Sequence, residues 1–443
     1  MTLGGANTYS GTTRVFEGKL TVTGNNGGKI YEVGSQGRLE IGYAIGQVYN
    51  YGVTVNGNGV SSTNGLALDG GKTYTFSSTV RLAGAPSTVR SYGTGNATLG
   101  GYDTNSTHLA VENTASGSVI DSTVNFVCLS IGYVMNIAPG LNTATGDVTL
   151  LGTFSGGTPF RKSGLGSVRL AGSGSSSNTG AFEVRQGLLI IGNANNRLGT
   201  GSNIVLGNGT DSGTLVLAGV NQTVTAVTTS GSGTAIAIVG GSATASTLTI
   251  NNTSATTLSA NLGGTGTNHN NLVLAKSAAG VLTVSGANTY TGGTSINAGT
   301  LSLGSLGALG TAGTISLNGG ALQFTANNTT DYTASGRLKL EDGVSGVIDT
   351  NGQNVEFASP LAVGGLGTGG LGKSGTGGLT LSANQVYTGA TSVNAGTLTL
   401  NYASANGSKL SDTGVLTLAG GALDLAGGSH QEVVASTQVT GIS

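Results

Sequence analysis

Three features of this sequence predict an all-β chain wound as a parallel β-helix, or β-solenoid. The phrase TLGGANTYSGTTRVFEGKLTV at residues 2–22 returns as TVSGANTYTGGTSINAGTLSL at 283–303 and TLSANQVYTGATSVNAGTLTL at 380–400, with the same internal spacing. Such self-similarity marks units that cannot bury an apolar face alone and must stack on neighbours. The chain also has 82 Gly and only 8% charged residues, yet 37% are hydrophobic, set in short alternating runs such as LTVSG, TLSLG and VLTLAGG. That balance favours an ordered chain over low-complexity disorder. Finally, no stretch carries the 3.6-residue periodicity of an amphipathic helix.

The chain opens within the first copy, 2–24. Six positions are identical in the three copies: Thr2, Thr283 and Thr380; Tyr9, Tyr290 and Tyr387; Gly11, Gly292 and Gly389; Thr13, Thr294 and Thr391; Gly18, Gly299 and Gly396; Leu20, Leu301 and Leu398. Met1 falls where Leu282 falls in the copy at 283–303, so the chain reads as a segment of a longer protein. No basic start and apolar core mark a signal peptide. Nor does any run approach the ~20 apolar residues that span a bilayer as a helix.

Next come Tyr43, Tyr49 and Tyr51, the densest tyrosine cluster. Exposed rings there could stack on sugars, whereas an internal aromatic stack is the plainer expectation. Further on, SVIDSTVNFVCLSIGY holds the single cysteine, Cys128. It has no partner for a disulfide, and alternation makes it a small core residue.

Residues 162–192 form a divergent fourth copy, with a Ser run in place of the Tyr. Its KSG matches KSA at 276–278 and KSG at 373–375. The copy at 283–303 is the clearest: Leu282 and Val284 on one strand, a turn SGANTYTGG, a second strand TSINAG, then Leu301 and Leu303 on a third. Glycines at the corners supply the positive φ that tight coils need. Three strands in about 22 residues suit one coil of a β-helix, and 443 residues in such coils would make a single rod on the order of 95 Å long. No charge run or Pro-rich linker divides it, so 1–443 is expected to be one β-helical segment. Leu282, Val284, Ile296, Leu301 and Leu303 are the expected interior.

The phrase GANTYTGGTSINAGTLSLG, preceded by KSAAGVLTVS and followed by SLGALGTAGTISLNGGAL, resembles the autotransporter-associated β-strand repeat of bacterial autotransporter passenger domains, the passenger-associated transport repeat. The resemblance runs over 275–324 and 371–425, and further over 2–24 and 162–218. It implies a right-handed parallel β-helix on the surface of a Gram-negative bacterium. It also implies an outer-membrane β-barrel translocator outside this segment, repeats that assist export and stacking, and no catalytic residues. The implied role is a structural or adhesive passenger, non-enzymatic, meeting a host or surface glycan or protein. A carbohydrate-active β-helix of the tailspike or lyase kind, or a glycan-binding adhesin, is the alternative.

Gly367 to Ser374 (GTGGLGKS) matches the phosphate-loop pattern, but a phosphate loop must lead into a helix, and GTGGLTLSANQVYTG is strand-like. Lys-Ser also recurs at 162–163 and 276–277 without those glycines, so it belongs to the repeat. Among the 18 acidic residues only Glu341 and Asp342 are adjacent, in a strand-end turn. Asp121 and Asp349 hold equivalent repeat positions and read as turn caps rather than a glycosidase pair. His108, His269 and His430 are scattered, with no nucleophile-elbow pattern. The calcium nonapeptides of β-rolls are missing as well. With 17 basic residues and a net charge of −1, nothing favours nucleic acid, and no cofactor or metal is expected.

Overall fold

In the computed structural model the chain is described at residues 1–4, 11–23 and 30–41, in strand segments between 48 and 138, and at 146–440 except 404–405 and 429–430. The described regular structure is β-strand, apart from one 3-10 turn at Ala334–Gly336. No helix among the described residues is long and apolar enough to cross a membrane. The chain falls into two compact units: Met1–Val224 with Thr228–Ser246, and Thr225–Val227 with Thr247–Ser443.

Each unit is a parallel β-solenoid, because strands of two to twelve residues lie beside the strand one coil onward and point the same way. Period-2 alternation then aligns like with like. In the first unit one inward ladder runs Leu20, Leu39, Leu66, Val89, Ile120, Leu150, Leu170, Ile191. All eight are at most 5% exposed. A second row of rings fills a wide part of the same interior. Phe126 stacks on Phe154 at 5.0 Å, and Phe154 meets Phe160 edge-on at 4.8 Å.

In the second unit a ladder runs Leu282, Leu301, Leu322, Ile348, Lys373, Val393, Leu418. Leu282, Val284, Ile296, Leu301 and Leu303 all lie in this unit's core, each at most 1% exposed.

The repeat's three strands are Val281–Val284, Thr294–Ile296 and Thr300–Leu303. The first and third belong to successive coils. Leu282 pairs with Leu301, nineteen residues on, so the repeat spans one coil and begins the next. Coil length is not constant: Thr13 pairs with Tyr31, eighteen residues on, and Leu82 with Val111, twenty-nine on.

Candidate functional site

The repeat coil concentrates the chain's buried polar chemistry at its corners. Tyr290 is fully buried, and its hydroxyl meets Thr294 Oγ1 at 2.6 Å. Ninety-seven residues later the same pair recurs: the Tyr387 hydroxyl meets Thr391 Oγ1 at 2.7 Å. Two of the six shared positions are therefore bonded to each other across the turn. Burial pushes both phenols above their ordinary pKa, because a phenolate there would lose its hydration.

The turn before each tyrosine is tied to its neighbours by an amide. Asn288 Oδ1 accepts from the Leu262 backbone N–H at 2.7 Å, and its Nδ2 donates to the Ala308 carbonyl at 2.7 Å. At the matching place Gln385 Oε1 accepts from the Leu361 N–H at 2.9 Å. Different side chains thus meet the same need for a buried backbone partner.

Glycines close the coil. Gly18, Gly187, Gly299 and Gly396 have φ of 70°, 71°, 66° and 68°, the left-handed conformation. A Cβ at Gly187, Gly299 or Gly396 would also collide with carbonyl oxygens of the preceding coil. At Gly292 a Cβ would stand 2.7 Å from the Leu272 carbonyl oxygen, and at Gly389 it would collide with that of Gly369.

The feature that sequence reasoning missed is the lysine. Lys162, Lys276 and Lys373 are fully buried and face inward among apolar residues. Lys162 stands between Met135 and Val184 in its ladder, and Lys373 between Ile348 and Val393. Each ammonium is caged by carbonyls. Lys276 Nζ donates to Ser277 at 2.6 Å, Ala278 at 2.6 Å and Ala298 at 3.4 Å. Lys373 Nζ donates to Ser374, Gly375 and Ala395 at 2.9, 2.8 and 3.0 Å. Lys162 Nζ donates to Gly164 and, at 2.7 Å, to Gln186.

The last acceptor in each set lies one coil on, immediately before Gly187, Gly299 or Gly396. Burial lowers Lys162 to about 7 and Lys276 to about 8, and lowers Lys373 as well. The recurring Lys-Ser pairs and the alternating pattern around them were the available signal. The rarity of fully buried lysine obscured it.

The same geometry accounts for the phosphate-loop look-alike. Gly370–Ser374 is a strand, and Lys373 is spent on its own coil's carbonyls. Asp342, next to Glu341, accepts the Leu366 N–H at 2.9 Å and the Thr368 N–H at 3.0 Å, and these bonds hold its carboxyl below the usual range. Glu341 pairs with Lys339 at 3.0 Å. Asp349 takes the Gln323 amide at 2.8 Å and the Asn351 N–H at 3.0 Å. These carboxylates are engaged in turns and in an ion pair. Among the described residues no group of three or more His, Cys, Asp or Glu could hold a metal ion.

The remaining repeat positions are placed as follows. Leu20, Leu301 and Leu398 are buried; Thr2 and Gly11 are exposed; Thr13, Thr283 and Thr380 are half-buried. Tyr9, Tyr43, Tyr51, Asp121, His108 and His430 lie outside the described residues. The backbone of Tyr49 pairs with Phe76, and its side chain, like that of Cys128, is outside the description.

The passenger-associated-transport-repeat family matches this chain at residues 1–22, 274–303 and 371–400. The adhesin BmaC autotransporter of Brucella suis biovar 1 (strain 1330) is 30% identical over 288 residues, 58% of this chain and 7% of that protein. The chain thus spans a small fraction of that relative's length. No solved structure matches it. Lys162 and Gly187 have the same lysine-to-carbonyl bond and left-handed glycine as Lys276 with Gly299 and Lys373 with Gly396 in two of the matched segments.

Proposed function

As an autotransporter passenger segment carrying passenger-associated transport repeats, the chain serves, we propose, as a non-enzymatic surface stalk with an adhesive role. An outer-membrane β-barrel elsewhere in the protein would deliver it to the exterior of a Gram-negative cell and hold it there. The observation that carries this reading is the repeat coil. Its residue-by-residue recurrence is accounted for by internal bonds, the Tyr–Thr pairs, the lysine cages and the glycine corners. The repeated residues Tyr290, Thr294, Gly299, Leu301 and their counterparts are assigned to stacking on this basis. Coils whose buried polar groups pair within the coil and with adjacent coils can add one at a time as the chain emerges, each on the edge of the last.

Adhesion is proposed from the relative, which is described as an adhesin. Tyr43, Tyr49 and Tyr51 remain the residues proposed to contact a glycan, since aromatic rings offer an apolar face to sugars. The test is to display the segment on an outer-membrane barrel and measure adhesion to host cells and to a glycan panel. Retained surface display with binding lost in Tyr49→Ala supports the adhesive reading. Display without binding to any surface leaves a passive spacer, and turnover of a polysaccharide in the same panel overturns the non-enzymatic reading.

A further inference from the structure

Alternation alone does not fix the register of these coils. VLTV, TLSL and TLTL present the same faces after a slip of two residues, so the apolar ladders would re-form in the wrong place. Turn length is no fixed ruler either, because coils along the chain range from eighteen to twenty-nine residues. The ladder does admit shifts: between Val15 and Glu17 the strand Thr13–Val22 changes register against Ile30–Ile41.

From these facts we infer that Lys162, Lys276 and Lys373 are register pins, each fixing where the following coil docks. Each joins two carbonyls or one of its own turn to a carbonyl one coil on, at Gln186, Ala298 or Ala395. The next residue is the left-handed glycine, whose missing Cβ leaves room for the lysine's turn. A slip of two residues would carry that acceptor roughly 7 Å along the strand and leave a buried ammonium with an unmet donor. Apolar residues would lose little by the slip, and the lysine would lose much. Buried polar groups fix register in coiled coils by the same logic.

Three further cations, the buried Arg197 and Lys409 and the half-buried Arg337, also tie coils together by reaching back to earlier carbonyls. Arg197 donates to Gly174 at 2.8 Å and to Gly152, so it reaches into two earlier coils. Arg337 donates to Gly313 at 3.0 Å and to Gly310, and Lys409 to Ser382 at 3.2 Å. The inference deepens the stacking part of the proposed function. Its test uses purified protein, so it stands or falls separately from export and adhesion.

The test is disulfide trapping in the full chain with Cys128→Ser. Thr283 and Ser302 are register partners, so T283C/S302C can be bridged in the native register. T283C/T300C and V281C/S302C report slips of two residues in opposite directions, since diagonal neighbours are too far apart for a disulfide. With Lys276 present, the native bridge should exceed either slipped one by roughly tenfold. Lys276→Met should bring the ratio within about twofold while β-structure persists. An unchanged ratio in folded Lys276→Met overturns the inference. If that variant does not fold, Lys276→Gln is read the same way, and failure of both to fold also overturns it, since a register pin is dispensable to coil formation.

Discussion

Removing one hydroxyl tests how the repeat's shared tyrosine works. Tyr290→Phe deletes the group that meets Thr294 Oγ1 at 2.6 Å and that also contacts the backbone of Gly310. Tyr290 is fully buried and Thr294 is 3% exposed, so water cannot replace the lost partner. A buried donor or acceptor left unpaired costs about 1–3 kcal/mol. Thr294→Val should also destabilise, by less, because the phenol loses one partner and keeps its contact with the Gly310 backbone. Converting both partners to apolar residues of similar shape is close to neutral, so the double variant should be less destabilised than the sum of the two singles by about 1 kcal/mol or more. Repeat proteins open locally, which makes a global midpoint a blunt probe. Hydrogen exchange by mass spectrometry on peptides covering 290–303 reads the local opening directly. Each single variant should accelerate exchange there, Tyr290→Phe by roughly 5- to 150-fold and Thr294→Val by less. Exchange unchanged in the singles, or strictly additive effects in the double, would refute the argument.

Other perturbations separate burial, backbone and charge. Leu301→Asp places an unpaired charge in the core ladder between Leu282 and Leu322 and should cost on the order of 3–5 kcal/mol, read as new protease cleavage around that coil; wild-type resistance would contradict the packing. Gly299→Ala meets both a φ of 66° and the preceding coil's carbonyls, whereas Gly18→Ala meets a φ of 70° with open space beside it. Urea unfolding should show a loss of about 1 kcal/mol at Gly18 and clearly more at Gly299. Stability should also pass through a maximum with pH. Lys162 and Lys276 are lowered to about 7 and about 8 from 10.5, so between those values the unfolded chain binds more protons and stability rises with pH. Tyr290 and Tyr387 are raised above 10.0, so above about pH 10 the unfolded chain loses protons the folded one keeps, and stability falls. Urea midpoints at pH 6.5, 9.5 and 11 check this, and a flat profile would count against the buried sites.

Much of the fold was legible because alternation and corner glycines are local signals. Leu282, Val284, Ile296, Leu301 and Leu303 were readable as interior from the pattern alone. So was the strand after the phosphate-loop look-alike. The coil boundary was not, because a repeated phrase has no mark showing where one turn ends. Only the pairing of Leu282 with Leu301 reveals that the phrase overlaps the next coil. Lys276 was hidden for a different reason. A lysine at the end of the strand Leu272–Lys276 reads as solvated, and only the three-dimensional convergence of Ala298 with Ser277 and Ala278 supplies its cage. Gln385 likewise stands in for Asn288 with another side chain, which no identity count would register.

The most direct test of the whole account is deletion of residues 275–303 from the segment fused to an outer-membrane barrel. Surface copies are counted by antibody on intact cells, and refolding of the purified segment is timed in parallel. The account predicts fewer folded copies outside the cell and slower refolding, because a coil on which later coils stack has been removed. Equal surface delivery and equal refolding rates would contradict it.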